Sequence, residues 1–183
     1  NDRLQAAALV ERRRANLESF MSSPEQIRRG TRIVPNTYGL PKLYMREQGS
    51  LSAASSLKPA EIAKGFLQAQ PEIFSLTTRE IDRLRVVVED VSGSAKFLAF
   101  NQTLNGIDVF NAQIKFTLNK DREIVQVATG DIVPGLNLAT SPRLAAEDAI
   151  KAAFLSIGGQ VPQALSRAPE TSGKAVFLNP HGS

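Results

Sequence analysis

The sequence is poor in the residues that carry most catalytic chemistry. It has no cysteine and no tryptophan, and its single histidine, His181, lies three residues from the end. The absence of cysteine excludes disulfides, thiol catalysis, iron–sulfur clusters and cysteine-ligated zinc. No apolar run approaches the roughly 18 to 20 residues that a membrane-spanning helix requires.

Catalytic motifs are missing as well. The sequence contains no HExxH, GxSxG, P-loop or dinucleotide-binding pattern. The aspartates that come nearest to a carboxylate set are Asp90, Asp108, Asp121 and Asp131. All four fall at predicted strand ends or turns, where aspartate is common for structural reasons. We therefore predict a non-catalytic protein with no cofactor and no metal.

The positive charge is concentrated near the N-terminus. Residues 1–50 hold nine Lys/Arg and five Asp/Glu, whereas residues 51–183 hold thirteen of each. The runs Arg12–Arg14 and Arg28-Arg29 would suit phosphates, which gives a nucleic-acid-binding hypothesis. The glutamates interleaved with these arginines favour a solvated helix face instead. In a third interpretation, the arginines are an electrostatic complement to an acidic protein partner.

Residues 1–56 are predicted to form a helix followed by an extended arm. Residues 3–20 combine strong helix formers with a weak apolar face. Residues 22–56 are rich in Ser, Pro and Gly and have no sustained period, which is typical of a connector. The chain opens on Asn1-Asp2 with neither a methionine nor a signal-peptide hydrophobic core, so we expect a fragment whose preceding segment has been cut away.

Residues 57–140 are predicted to form an α+β domain. Pro59 begins a helix over roughly 59–69, which Pro71 ends. From residue 82 the period of the apolar residues changes from 3.6 to two, which predicts four strands joined by three short turns. The result is an antiparallel meander sheet of about four strands. One of its turns, Asn105-Gly106, has the strongest short hairpin signal.

Alternation assigns the strand side chains to faces. In the first strand, Leu84, Val86 and Val88 are predicted to share one apolar face. In the third strand, the predicted core face comprises Phe110, Ala112, Ile114, Phe116 and Leu118. This face needs a cover, and helices at 59–69 and 142–157 are predicted to pack on it.

Residues 141–183 are predicted to form a third part. Its helix follows Pro142 and is stopped by Gly158-Gly159, and residues 174–179 are predicted to begin a further strand.

The segment from Leu98 to Gly130 resembles the fungalysin/thermolysin propeptide motif. The residues that carry the resemblance are Phe100, Gln102, Asn105, Gly106, Val109, Phe110, Ala112, Val125, Val127 and Gly130. The helix that follows resembles the opening of a PepSY-like segment, and the spacing is most similar to the fungalysin type of secreted zinc metallopeptidase. The sequence departs from the pattern at Asp108, at Arg122 and at Ala145, which stands where a Ser or Thr N-cap is usual.

The resemblance implies a cystatin/PepSY-like fold and a prosegment of a secreted zymogen. Such a segment inhibits its metalloprotease by covering the active-site cleft, and it acts as an intramolecular chaperone. Its partner is the cognate catalytic domain in cis, with no nucleic acid and no membrane. A zinc-binding role for His181 is a weaker expectation. The alternative is a free-standing extracytoplasmic inhibitory module of the PepSY or cystatin-like kind.

Overall fold

The structure is a computed structural model that describes residues 2–141 and 143–160. The chain divides into two compact units, Asn1–Thr140 and Ser141–Ser183. The helices are α1 (Asp2–Met21), α2 (Pro24–Arg28), α3 (Pro59–Gln68), α4 (Pro71–Phe74), α5 (Thr78–Asp82) and α6 (Ala146–Ser156). The strands are β1 (Thr31–Pro35), β2 (Pro41–Arg46), β3 (Arg85–Ser92), β4 (Ala95–Leu104), β5 (Ile107–Leu118) and β6 (Ile124–Thr129).

The strands form one antiparallel sheet in the order β1-β2-β6-β5-β4-β3. The α+β class and the meander β3–β6 are confirmed, but the prediction of about four strands is wrong, because the sheet has six. The two additional strands, β1 and β2, come from residues 22–56, which were predicted to form an extended arm. They are five and six residues long, and their sequences are broken by Pro35, Gly39 and Pro41. Pairing of β2 with the distant β6 stabilises them, and this pairing leaves no local sequence signal.

The helices of the first unit begin where the sequence places capping signals. Pro59 stands in the first turn of α3, as predicted. Pro71 was predicted only to end that helix, and it also stands in the first turn of α4. At α5, the hydroxyl of Thr77 accepts a bond from the Glu80 N–H while the Glu80 carboxylate accepts one from the Thr77 N–H, which forms a capping box.

The core lies between these helices and one face of the sheet. Its centre is Phe66 of α3, whose ring contacts Tyr44, Phe74 and Phe116 at centroid distances of 6.0 to 6.3 Å. Phe100 meets Phe116 edge to face at 6.0 Å. The packing of α3 on the sheet was predicted, and the aromatic cluster is its physical basis.

The opposite face of the sheet is called the outer face below. By register its side chains are Arg32, Val34, Leu43, Met45, Gln126, Ala128, Gln113, Lys115, Thr117, Phe97, Ala99, Asn101, Arg85, Val88 and Asp90. All of them are exposed or half-buried except Ala99. The outer face therefore presents a mixed polar and apolar surface to its surroundings.

In the second unit the structure describes α6. The helix begins after Ala145, which occupies the N-cap position without a side-chain hydrogen bond. Its first turn holds Glu147 and Asp148, which the helix dipole favours. The predicted packing of this helix on the sheet stays a prediction. The predicted strand at 174–179 and His181 lie outside the described residues.

Candidate protein-binding surface

Gln102 joins β4 to the segment that follows β6. Its side chain is buried, with Nε2 donating to the carbonyl oxygen of Val133 at 2.7 Å and Oε1 accepting from the Val133 N–H at 2.9 Å. A glutamine amide offers a donor and an acceptor side by side, which matches the N–H and C=O of one extended residue. Gln102 is therefore a structural clamp on the chain leaving the sheet.

The β4–β5 hairpin has the predicted turn. Asn105 has φ 50° and Gly106 has φ 82°, so both central residues adopt the left-handed conformation that the twist of a two-residue hairpin favours. The side chain of Asn105 also donates to the hydroxyl of Thr140 at 3.1 Å. Asn105 is thus held both by the turn and by the segment that follows β6.

The prediction that Phe110 faces the core is wrong. Phe110 is 90% exposed, whereas Ala112, Ile114, Phe116 and Leu118 are buried as predicted. The cause is an irregularity in the β4–β5 pairing between Asn101 and Thr103. An irregularity of this kind inserts extra residues into one strand and reverses the alternation beyond it.

Asn111 is the residue at which the alternation reverses. Its φ is 58°, a left-handed value that is uncommon for any residue other than glycine. Val109, before it, packs partly against the core, and Ala112, after it, is fully buried. Because Val109 faces the core, Phe110, the next residue of the strand, lies on the opposite side, which is the side of the outer face.

The backbone of Asn111 is held by the chain that leaves β6. Its carbonyl oxygen accepts from the Asp131 N–H at 3.0 Å, and the Gly130 N–H donates to the Gln113 carbonyl at 2.8 Å. A Cβ on Gly130 would overlap the Asn111 carbonyl oxygen, so only glycine permits this approach. Gly130 was among the motif residues, and close backbone contact is the reason a glycine stands there.

A polar network lies beside Phe110 on the outer face. The Arg85 guanidinium forms an ion pair with Asp108, with Nε donating to Oδ1 at 3.1 Å. Asn101 donates to the same carboxylate at 2.7 Å and accepts from Gln113 at 2.9 Å. Asp108 was predicted to lie at a strand end or a turn, and this network was not predicted. No sequence signal could have revealed the network, because it depends on the cross-strand pairing of Arg85 with Asn101 in the folded sheet.

A shallow groove runs along the outer face next to Asn111. It is lined by Asn111, Gln113, Lys115, Ala128, Thr129 and Gly130. The groove and the network together give this end of the outer face several hydrogen-bonding groups.

The remaining predicted motif residues lie close to these. Phe100 is fully buried in the core, Val109 is half-buried, and Gly106 is exposed at the turn. The structure thus divides the motif into a buried set that builds the sheet and an exposed set at the β4–β5 hairpin.

The edge strand β3 differs from its prediction. Val86 and Val88 do not share a buried face: they are 40% and 46% exposed, and the pairing with β4 is irregular between them. Leu84 is buried but precedes the strand. Strand β3 is therefore an edge strand that exposes Val86, Val88 and Val91 beside the charged Glu89 and Asp90. Exposed sheet edges in other proteins recruit a further strand.

The basic residues near the N-terminus are spread over different contacts. Arg14 pairs with Glu11 at 3.4 Å and Arg29 with Glu25 at 3.0 Å. Arg13 reaches the Tyr38 carbonyl at 3.5 Å, and burial lowers the pKa of its guanidinium. These contacts favour structural roles for the three arginines.

Glu80 is the acidic group with the best-defined environment. Burial alone would raise the pKa of its carboxyl, but hydrogen bonds from the Thr77 hydroxyl, the Thr77 N–H and the Gly135 N–H outweigh it and lower the pKa. The Gly135 N–H donates at 2.6 Å. Glu80 therefore fixes the segment after β6, as Gln102 does.

Among residues 2–141 and 143–160, no group of three or more His, Asp or Glu is placed to hold a metal ion. No helix in the same ranges combines the length and apolarity needed to cross a membrane.

The fold is an α+β sheet domain with one helix-covered face, and comparison with known families identifies its central part. Residues 83–128 match the Fungalysin/Thermolysin Propeptide Motif. The resemblance seen in the sequence is thereby confirmed over this segment, which spans nearly all of β3–β6. The match covers about a quarter of the chain. The PepSY-like assignment of residues 141–183 lies beyond the matched segment and stays a prediction.

Two further comparisons add little. No curated protein matches the chain. Among solved structures, the Bacillus megaterium YpeB C-terminal domain is similar at 12% identity and a TM-score of 0.41. The match covers 81% of this chain and 62% of that one, so the chain spans less than two thirds of that structure. A similarity this distant does not indicate a function.

Proposed function

We propose that the chain is the prosegment of a secreted zinc metallopeptidase of the fungalysin type. In this role it binds its own catalytic domain, covers the active-site cleft until cleavage, and assists folding of that domain. The single observation that carries the proposal is the match of residues 83–128 to a propeptide motif. The matched strands are those that form the hairpin, the polar network and much of the outer face.

The architecture supports binding to another protein. The helices of the first unit pack on one sheet face, while the outer face offers exposed Val88 and Phe97 among polar groups. Phe110 of β5 is also exposed. Aromatic and aliphatic side chains ringed by satisfied polar groups are typical of protein interfaces. No substrate or cofactor is required for such a surface to act.

Covalent linkage explains how a modest surface could inhibit. A segment joined to its target acts at an effective concentration of about millimolar for a short flexible linker. Even a weak interface is then occupied almost fully, and cleavage followed by dilution releases it. This property suits a zymogen, because inhibition ends with maturation.

A precursor experiment tests the proposal. The gene is expressed with and without the codons for residues 1–183, and secreted proteolytic activity is measured after maturation. We expect active enzyme only from the full precursor, with activity partly restored when the chain is supplied separately. Equal activity from both versions would contradict the folding role.

The alternative function, a free-standing extracytoplasmic inhibitory module, predicts a different gene structure. In that case no HExxH-containing domain follows in the same reading frame. Reading the frame beyond Ser183 therefore separates the two functions before any protein is made.

A further inference from the structure

We propose that Phe110 is the anchor by which the chain binds its peptidase. Its ring inserts into an apolar pocket on the surface of the catalytic domain, and the polar groups around it form the rim of the interface. This inference rests on the proposed prosegment function and names the contact through which that function acts.

The first observation is the exposure of the ring. Phe110 is 90% exposed, while Phe97, the other exposed phenylalanine among the described residues, is 40% exposed. Burying a phenylalanine side chain is favourable, and this gain is forgone in the isolated chain. A protein partner with an apolar pocket recovers it.

The second observation is that the backbone forces this exposure. An ordinary alternation would place Phe110 in the core, on the side of Ala112 and Ile114. The left-handed Asn111 prevents this, and contacts from Gly130 and Asp131 hold Asn111 in that conformation. A non-glycine residue in this conformation is strained, and such strain is often found at functional positions.

The third observation is the rim. Asp108, Asn101 and Gln113 belong to the hydrogen-bonded network on the same face of the sheet. A rigid aromatic side chain surrounded by fixed polar groups matches the anatomy of an interface hot spot. Because the network is already formed in the free chain, binding requires little ordering of these side chains.

Charge favours a protein pocket over a lipid surface. Residues 101–114, which form the hairpin around Phe110, contain no lysine or arginine, and their only charged residue is Asp108. Loops that insert into membranes usually carry basic residues beside the apolar ones, because the lipid surface is anionic. The hairpin lacks that feature.

The test uses the full 183-residue chain and the mature catalytic domain from the same precursor. Inhibition constants are measured for the wild type, for Phe110→Ala and for Phe110→Lys. The matched control is Tyr38→Ala, which removes another aromatic ring that is 50% exposed. Thermal unfolding of each variant is recorded in parallel.

We expect both Phe110 variants to raise the inhibition constant at least about tenfold, as truncation of an interface anchor does. Tyr38→Ala should change it less than about twofold. All variants should unfold within a few degrees of the wild type, since Phe110 makes no contribution to the core.

Two failures are distinguishable. If the wild-type chain does not inhibit, the prosegment function is wrong, and the proposed role of Phe110 is wrong as well. If the wild type inhibits and Phe110→Ala inhibits equally, the function stands and only the anchor is overturned.

Two further assays test other binding partners of the Phe110 ring. Sedimentation detects binding to a second copy of the chain, and co-sedimentation with phosphatidylserine-containing vesicles detects binding to a membrane. Phe110-dependent association in either assay would also overturn the proposal.

Discussion

Gly130 lies against the carbonyl oxygen of Asn111 so closely that a Cβ at position 130 would overlap it. The two residues are 19 positions apart, and their contact holds the left-handed backbone that turns Phe110 outward. The contact links the end of β6 to the hairpin and so determines the shape of the candidate binding surface.

Gly130→Ala is therefore expected to destabilise the first unit by about 2 kcal/mol, because the overlap is with backbone and cannot be relieved by a rotamer change. Denaturant unfolding measures the effect. Gly65→Ala is the control, since nothing lies within 4 Å of a Cβ there and the residue is inside α3. This control should gain up to about 1 kcal/mol. Equal effects of the two substitutions would contradict the contact.

Gln102→Met tests the clamp on Val133. Methionine fills a similar volume but leaves the N–H and C=O of Val133 without their partners, which should cost about 1 to 2 kcal/mol. Hydrogen exchange at the Val133 amide should accelerate beyond the change in global stability. The exposed Gln48→Met serves as control, with no expected change. An unchanged exchange rate at Val133 would show that the amide is protected by another group.

Charge substitutions distinguish the two sides of β5. Phe116→Asp places a carboxylate at a site that is 1% exposed, and we expect loss of the folded state near neutral pH. Phe110→Asp should change the free energy of unfolding by less than about 0.5 kcal/mol, because the side chain is on the surface. Circular dichroism melts of the two variants check this. Unfolding of both would return Phe110 to the core.

Glu80 predicts a pH dependence of stability. Its pKa lies below the ordinary value of 4.5 in the folded chain. The unfolded chain therefore binds the proton first as pH falls, and the stabilisation is present above pH 4.5 and lost as pH falls through the folded pKa.

The measurement for Glu80 compares the wild type with Glu80→Gln in denaturant at pH 7 and at pH 3. The advantage of the wild type should be larger at pH 7. A difference between the two proteins that is the same at both pH values would show that the hydrogen bonds from Thr77 and Gly135 do not favour the ionised form.

Local signals in the sequence were sufficient for part of this fold. The Asn105-Gly106 turn has the predicted backbone because two adjacent residues suffice to define it. Helix α3 begins at Pro59 and ends near Pro71 for reasons contained in those residues. The buried alternation of β4 and of β5 after Asn111 also follows from the sequence alone.

The remaining features depend on distant contacts. The reversal at Asn111 is held by Gly130, so the sequence around Phe110 read as a regular strand. Strand β2 pairs with β6 across about 80 residues of chain, and β1 joins the sheet only through β2. The network of Arg85 and Asp108 requires β3 and β5 to flank β4. Each of these features shapes the candidate site. The motif residues could be found from local sequence, but the orientation of Phe110 could not, because it depends on contacts with residues far along the chain.

The most direct test of the account is a titration of the mature catalytic domain with the purified chain, with residual hydrolysis of a peptide substrate as the readout. We expect a loss of activity that saturates at one chain per enzyme and is reversed when the chain is digested. Full activity at a large excess of folded chain would contradict it.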